Sequence, residues 1–162
     1  MKKLFWILSF IIIAFFSSVM AEVIKAGVSI DQIPKSFFGS WQVTAQLEKT
    51  SNYSTFRTQS QDLWNLSRLG DVITLENPFT KAHAQIEIKH TEGNVIVFSK
   101  TSSYDNKILR DTVTIRLNGD TFAGYNDLSL ETVSLYDGHI LKKDTAKYLL
   151  KGKKLSGTSV LN

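Results

Sequence analysis

Three histidines are the residues in this chain best suited to acid–base or metal chemistry near neutral pH. They are His83, His90 and His139. His83 and His90 belong to a stretch of alternating apolar and polar residues, where an odd separation places two side chains on opposite faces of a strand. His139 falls in an irregular polar segment. We therefore expect these histidines to be structural and exposed, with no local pair for a metal ion.

Other catalytic groups are equally sparse. The chain contains no cysteine, which excludes disulfides, thiolate zinc sites and thiol nucleophiles. It has no nucleophile elbow, zincin motif or P-loop. The aspartates of the predicted turns are isolated from one another in the sequence, and aspartate is common in turns for structural reasons. They are Asp71, Asp105, Asp120, Asp127 and Asp137. A pair of distant carboxylates is left open, but we expect no enzyme activity, cofactor or metal site.

The first 21 residues have the composition of a secretory signal peptide. Lys2 and Lys3 precede an apolar run from Leu4 to Phe16, and the segment ends with small residues at Ala21. That run is shorter than the ~20 residues of a membrane span, although an uncleaved anchor is the alternative. We expect export to the periplasm or the medium, without stable membrane insertion after cleavage. Loss of both lysines lowers the formal charge of +4 by two, so charge does not favour nucleic acid as a partner.

The rest of the chain alternates like β-strands. Residues 22–38 form an N-terminal arm with a short helical turn near Asp31, and from Trp41 to Glu48 apolar and polar residues alternate strictly. The same period recurs at residues 82–89 and 109–117, where Asp111 interrupts the apolar face. Shorter strands are predicted at 63–68, 72–76, 95–100, 121–125, 128–133, 147–150 and 155–160.

Turn residues separate these strands at close intervals. Asn118-Gly119 predicts a type I′ hairpin, because these residues tolerate positive φ angles. The other turn signals are Gly70-Asp71, Asn77-Pro78, Gly93-Asn94, Asp105-Asn106, Asn126-Asp127, Asp137-Gly138 and Gly152-Lys153. Residues 134–146 lack alternation and are predicted to be a long loop, a short helix or a lid.

This pattern predicts an all-β fold, an antiparallel up-and-down meander of about 8–10 strands in one domain spanning residues 39–162. A barrel and a β-sandwich are both compatible with it. Closure into a barrel leaves no unpaired edges, which favours the barrel.

Gly39-Ser40-Trp41, at the head of the first clear strand and before a long meander, resembles the lipocalin and wider calycin pattern. The resemblance implies that Trp41 plugs the closed end of a barrel and that Gly39 lets the backbone turn tightly. It also implies a basic residue near the last strand lying over the tryptophan. Residues 155–162 contain no arginine, which leaves Lys147, Lys151 and Lys153 as candidates. The implied activity is non-covalent binding of a small molecule, or a structural variant whose interior is filled.

The candidate ligand-binding residues are mainly aromatic. An apolar pocket with few polar anchors is the usual form of a small-molecule site. Arg68 shares a strand face with Trp64, where it would stack on the ring, anchor an anion or lie at the surface. The predicted set is Trp64, Arg68, Phe98, Phe122 and Tyr148. The alternative for the aromatic residues is that they fill the core.

Two functions are consistent with the sequence. The first is an exported, lipocalin-like binding module for a small hydrophobic or amphipathic ligand, such as a lipid, which requires an apolar cavity of at least a few hundred Å³. The second is a structural or protein-interaction domain of the cell envelope, with a working surface on loops such as residues 136–147. A large exposed apolar patch on those loops would favour it.

Overall fold

The computed structural model describes residues 30–157 and 159–161, so the predicted signal peptide (1–21) and the start of the arm lie outside the described residues. Two 3₁₀ helices, Ile30–Gln32 and Lys35–Phe37, precede the sheet. The strands are β1 (Gly39–Thr50), β2 (Gln59–Leu69), β3 (Val72–Glu76), β4 (His83–Glu92), β5 (Val95–Tyr104), β6 (Lys107–Asn118), β7 (Thr121–Val133), β8 (Ile140–Ser156) and β9 (Ser159–Leu161). Within these residues, no helix has the length and apolar character needed to cross a membrane.

Strands β1 to β8 form one antiparallel meander in which each strand pairs with its sequence neighbours. Strand β1 pairs with β2 on one side and with β8 on the other, which closes the sheet into a barrel. Strand β9 adds a short parallel pairing to β2 at residues 67–69. The predicted all-β meander and barrel are confirmed, and the sandwich alternative is wrong because the first and last long strands are hydrogen-bonded.

Alternation fixes which side chains point into the barrel. Trp41 and Val43 are buried, whereas Gln42 between them is exposed, as the sequence pattern predicts. Strand β3 has the bounds that were predicted for it. The chain enters β1 at the closed end of the barrel, covered by the 3₁₀ helices. The loops after β1, β3, β5 and β7 surround the opposite, open end.

Two predicted turns lie inside strands. Asn126-Asp127 belongs to β7, where Asn126 pairs with Val113 and Tyr148 and faces the interior. Gly152-Lys153 belongs to β8, where a Cβ atom on Gly152 would lie 2.1 Å from the ring of Phe122. The absence of a side chain at Gly152 therefore makes room for the Phe122 ring. Neither Asn126-Asp127 nor Gly152-Lys153 forms a turn.

The segment predicted to be irregular is mostly strand. Strand β8 already begins at Ile140, so only residues 134–139 connect it to β7. The backbone N–H of Ser134 donates to the carbonyl of His139 at 2.9 Å and closes this connection. The prediction of a loop, helix or lid over residues 134–146 is wrong because polar Lys142 and Asp144 occupy the inward positions at the start of β8 and interrupt its alternation.

A β-bulge in β4 changes the face of the strand on which His90 lies. Ile88 pairs with inward-facing Phe98, whereas His90 pairs with Val97, so the register shifts between them. His90 therefore shares the outer face with His83, contrary to the predicted opposite faces. Both side chains are exposed near opposite ends of the strand, so they form no local pair.

The hairpin between β6 and β7 turns one residue later than predicted. Asn118 pairs with Thr121, which leaves Gly119 and Asp120 as the two loop residues. Gly119 has φ of 57°, whereas Asn118 and Asp120 have no positive φ. The prediction of a type I′ turn at Asn118-Gly119 is therefore wrong. A type I′ turn needs a positive φ at both loop residues, whereas here only Gly119, the first loop residue, has one.

Candidate functional site

Aromatic rings fill the closed half of the barrel interior. The Phe37 ring lies 5.4 Å from that of Phe38 and 5.8 Å from that of Phe98. The Trp41 ring lies 5.2 Å from that of Phe122. All five side chains are buried. Edge-to-face and tilted packing of this kind adds to the free energy gained by burial, so this half of the barrel is a solid floor.

Trp41 is held from two sides. Its indole Nε1 donates a hydrogen bond to the carbonyl of Phe37 at 2.9 Å, which ties β1 to the second 3₁₀ helix. The Nζ of Lys154 lies 4.9 Å from the centre of the indole ring and donates to the carbonyl of Ser36 at 2.6 Å. Burial lowers the pKa of Lys154, and the nearby carboxylate of Asp120 opposes that effect.

Lys154 is thus the basic residue over the tryptophan, and the predicted candidates Lys147, Lys151 and Lys153 are not. The residue pattern predicts a separate last strand that begins at residue 155, whereas β8 continues to Ser156. The signal was present in the sequence: Lys154 has the same parity as buried Tyr148 and Leu150. The three predicted lysines lie on the outer face.

Gly39 has the backbone conformation that the resemblance implied. Its φ is 117°, which side chains rarely adopt, and a Cβ atom there would lie 1.7 Å from the carbonyl oxygen of Gly157. The start of β1 therefore passes directly against the end of β8. This close approach brings Trp41 beneath Lys154.

The structure brings three of the predicted ligand-binding residues together. The Trp64 ring lies 6.1 Å from that of Phe98 and stacks at 5.8 Å on that of Phe122. All three are buried, and Phe98 and Phe122 contact the rings of the closed end. Their arrangement matches the alternative in which aromatic residues fill the core. Trp64 also lines a pocket at the open end of the barrel.

The other two predicted residues lie far from this cluster along the barrel axis. The guanidinium of Arg68 forms an ion pair of 2.9 Å with Asp31 and donates to the carbonyl of Gly70 at 2.8 Å, near the closed end. Tyr148 lies in the open half and donates its hydroxyl to the carbonyl of Arg57 at 2.8 Å. Burial raises the pKa of Tyr148. A ligand contact by either residue stays a prediction.

A pocket of about 120 Å³ opens at the rim between β2, β3, β4 and β5. Its inner wall consists of Trp64, Leu75, Ala84 and Lys100, and polar residues surround its mouth. The predicted apolar cavity of at least a few hundred Å³ is wrong for this pocket, because the aromatic floor occupies the lower half of the interior and polar residues line much of the rest. The pocket has the volume of about four water molecules at ~30 Å³ each.

An ion pair lies in the interior above the aromatic floor. Lys100 and Asp111 face each other across β5 and β6, with Nζ and Oδ2 2.8 Å apart. Asp111 is 5% exposed, whereas the side chain of Lys100 is 24% exposed and also lines the pocket. Asp111 Oδ1 is buried without a hydrogen-bond partner among the described residues, and so is Asn126 Oδ1.

Two further carboxylates are buried near the open end, and both are well paired. Glu131 is held on the outer face by Lys143 at 3.1 Å and Arg110 at 3.2 Å, and these hydrogen bonds lower its pKa. Asp144 accepts from Lys142 at 2.8 Å and from Thr55 at 2.9 Å, which lowers its pKa against the opposing effect of burial.

The loop after β1 packs across part of the open end. Asn52 and Thr55 donate to Asp144, and the carbonyl of Arg57 accepts from Tyr148. Phe56 in the same loop packs against the core. These contacts cover the side of the opening above β1 and β8, and the pocket lined by Lys100 lies on the other side, between β2 and β5.

Residues 30–157 contain no group of three histidine or acidic side chains placed to hold a metal ion. Searches against family models, curated proteins and solved structures found no match to this chain. The inference of function therefore depends on the geometry of the barrel interior.

Proposed function

We propose that this protein is an exported, non-enzymatic binding module whose barrel takes part of a small amphipathic molecule into the pocket between β2 and β5. The observation that carries the proposal is the open-end pocket lined by Trp64 and by Lys100, whose ammonium is paired with buried Asp111. A pocket with an apolar wall and a few fixed polar groups is the usual form of a small-molecule site.

The shape of the interior supports an amphipathic ligand over a wholly apolar one. The rings of the aromatic floor are buried and fill the closed half, so a long apolar chain would not fit among them. The inner end of the pocket is charged through Lys100, whereas Trp64, Leu75 and Ala84 form an apolar wall. A ligand with a short apolar part and a polar group satisfies both surfaces.

A second candidate function is contact with a protein partner through the rim. Leu135 and Tyr136, on the connection between β7 and β8, are 81% and 102% exposed. Ile140 and Leu141 are also exposed there, and Tyr104 is exposed on the neighbouring hairpin. The two hairpins are joined by a hydrogen bond of 2.8 Å from Val133 to the carbonyl of Asn106. Neighbouring exposed apolar side chains are typical of interaction surfaces.

Native mass spectrometry of the chain purified from a bacterial host that exports it tests the main proposal. We expect a retained adduct of small-molecule mass on the wild-type protein. The substitution Ala84→Trp fills the pocket from its inner wall, so the adduct is expected to disappear. The matched control is Ala123→Trp, which adds the same side chain on the exposed outer face of β7.

A wild-type spectrum with only bare protein contradicts the proposal, as does an adduct that persists in Ala84→Trp. A retained protein mass that is lost with Leu135→Ser but kept with Ala84→Trp supports the second candidate instead. Thermal unfolding of each variant shows whether the barrel itself is intact.

A further inference from the structure

Asp111 differs from the other two buried carboxylates because one of its oxygens is fully buried without a hydrogen-bond partner among the described residues. Each oxygen of Glu131 has a cationic partner, Lys143 for Oε1 and Arg110 for Oε2. Asp144 accepts from one cation and two neutral donors, all through Oδ2. Asp111 has Lys100 on Oδ2, and its Oδ1 is buried with no partner within the described part of the chain. A buried acceptor without a donor is costly, so this oxygen requires an explanation.

A second unpaired acceptor lies beside it. Asp111 pairs with Leu128 across β6 and β7, and Asn126 is the next inward-facing residue on β7. Residues in such diagonal positions lie about 7–8 Å apart, so their side chains are neighbours on the inner face. Asn126 Oδ1 is also buried without a partner in residues 30–157. The two oxygens therefore form a site that lacks hydrogen-bond donors.

The charge around the pocket indicates what kind of donor fits. Asp62 and Glu76 line the pocket together with Lys100, and Asp111 lies behind the lysine. Three carboxylates are therefore grouped around this pocket with one lysine and one histidine, His83. This excess of negative charge attracts a cation and disfavours an anion. Glu131 shows that one carboxylate in this molecule holds two cations, one on each oxygen.

We propose that the barrel recognises amphipathic amines, whose ammonium group donates hydrogen bonds to Asp111 Oδ1 and Asn126 Oδ1. This inference rests on the proposed binding function and names its ligand class. Lys100 lines the pocket and is paired with Asp111, so a ligand that reaches Asp111 Oδ1 has to displace the lysine side chain. The pocket volume fits a short alkyl group next to the ammonium.

The test compares three probes of equal length with the ¹⁵N-labelled chain purified from the exporting host: n-butylammonium, 1-butanol and butanoate. We expect butylammonium to shift the NMR signals of the Asn126 amide and the Trp64 indole. Its affinity should exceed that of butanol by about tenfold or more, since charge-assisted hydrogen bonds are the stronger kind. Butanoate should not bind.

Asp111→Asn should lower butylammonium affinity by about tenfold or more, because it removes the charge that faces the ammonium. Asp127→Asn is the matched control, since Asp127 follows Asn126 but is exposed on the outer face of β7. Equal affinity for butanol and butylammonium, or an unchanged affinity in Asp111→Asn, overturns the inference and leaves water as the occupant of the two oxygens. In that case butanol binding still upholds the proposed function, whereas a failure of all three probes overturns the inference.

Lys100→Met provides a second readout if Asp111→Asn does not fold. It removes the internal cation from Asp111, so added butylammonium should raise the melting temperature of Lys100→Met more than that of the wild type. An equal or smaller rise overturns the inference. This readout distinguishes a ligand site from an ion pair with a purely structural role.

Discussion

The two ends of this barrel use their interior positions differently. The closed end is filled by aromatic rings and held by Lys154, which contacts Trp41 and the carbonyl of Ser36. The open end carries charged residues at equivalent inward positions, and Asp111 among them has an oxygen without a partner in the described residues. One end is thus packed for stability, while the other keeps polar groups that packing alone does not require.

The closed end should respond most strongly to truncation. Trp41→Ala removes a side chain with no exposed surface and should lower the free energy of unfolding by about 3–5 kcal/mol. Leu128→Ala, at a half-buried inward position of the open half, should cost only about 1 kcal/mol. Urea unfolding monitored by circular dichroism measures both changes. Equal losses would contradict the division of the barrel into a packed end and an open end.

Loss of the ammonium over the tryptophan should have a smaller effect. Lys154→Met keeps the apolar stem but removes the cation–π contact and the hydrogen bond to Ser36, for a cost of about 1–2 kcal/mol. Lys153→Met is the control, since Lys153 lies on the exposed face of β8. Chemical denaturation of the two variants tests this. If they are equally stable, Lys154 does not hold the closed end.

The open end should be the part of the barrel that acid weakens first. Hydrogen bonds from Lys143 and Arg110 hold the pKa of Glu131 below its ordinary value. The resulting stability is present above the ordinary glutamate pKa and is lost as pH falls through the lower value of the folded protein. Glu131→Gln should therefore reduce the loss of stability between about pH 6 and pH 3.

Unfolding by urea at several pH values measures this smallest effect. Glu87→Gln is the control because Glu87 is exposed on the outer face of β4. An acid dependence in Glu131→Gln that equals that of the wild type would show that this carboxylate does not link stability to pH.

Much of the fold was predictable because a half-buried strand must alternate. The pattern around Trp41, the break at Asn77-Pro78 and the bounds of β3 follow from local residue types. The predictions that were wrong concern positions whose structure depends on pairing with a strand distant in sequence. The residue type of Asn126 is typical of a turn, but its pairing with Val113 and Tyr148 places it inside β7.

The candidate site was only partly predictable for the same reason. Parity alone places Asp111 on an apolar face, and the sequence pattern shows that interruption. The register between β5 and β6 is needed to place Lys100 opposite it, and the register between β6 and β7 is needed to bring Asn126 alongside. Sequence patterns identify unusual residues, whereas cross-strand pairing shows which of them meet.

Closure between β1 and β8 also sets an order of events during folding. The pairing joins Trp41 to Lys154 and Thr50 to Ala146, so it forms only after nearly the whole chain is present. Until then β1 has one edge without its final partner, and contacts so distant along the chain form slowly. When the chain is synthesised from its amino terminus, the free edge of β1 must therefore be kept from pairing with other chains until β8 has been made.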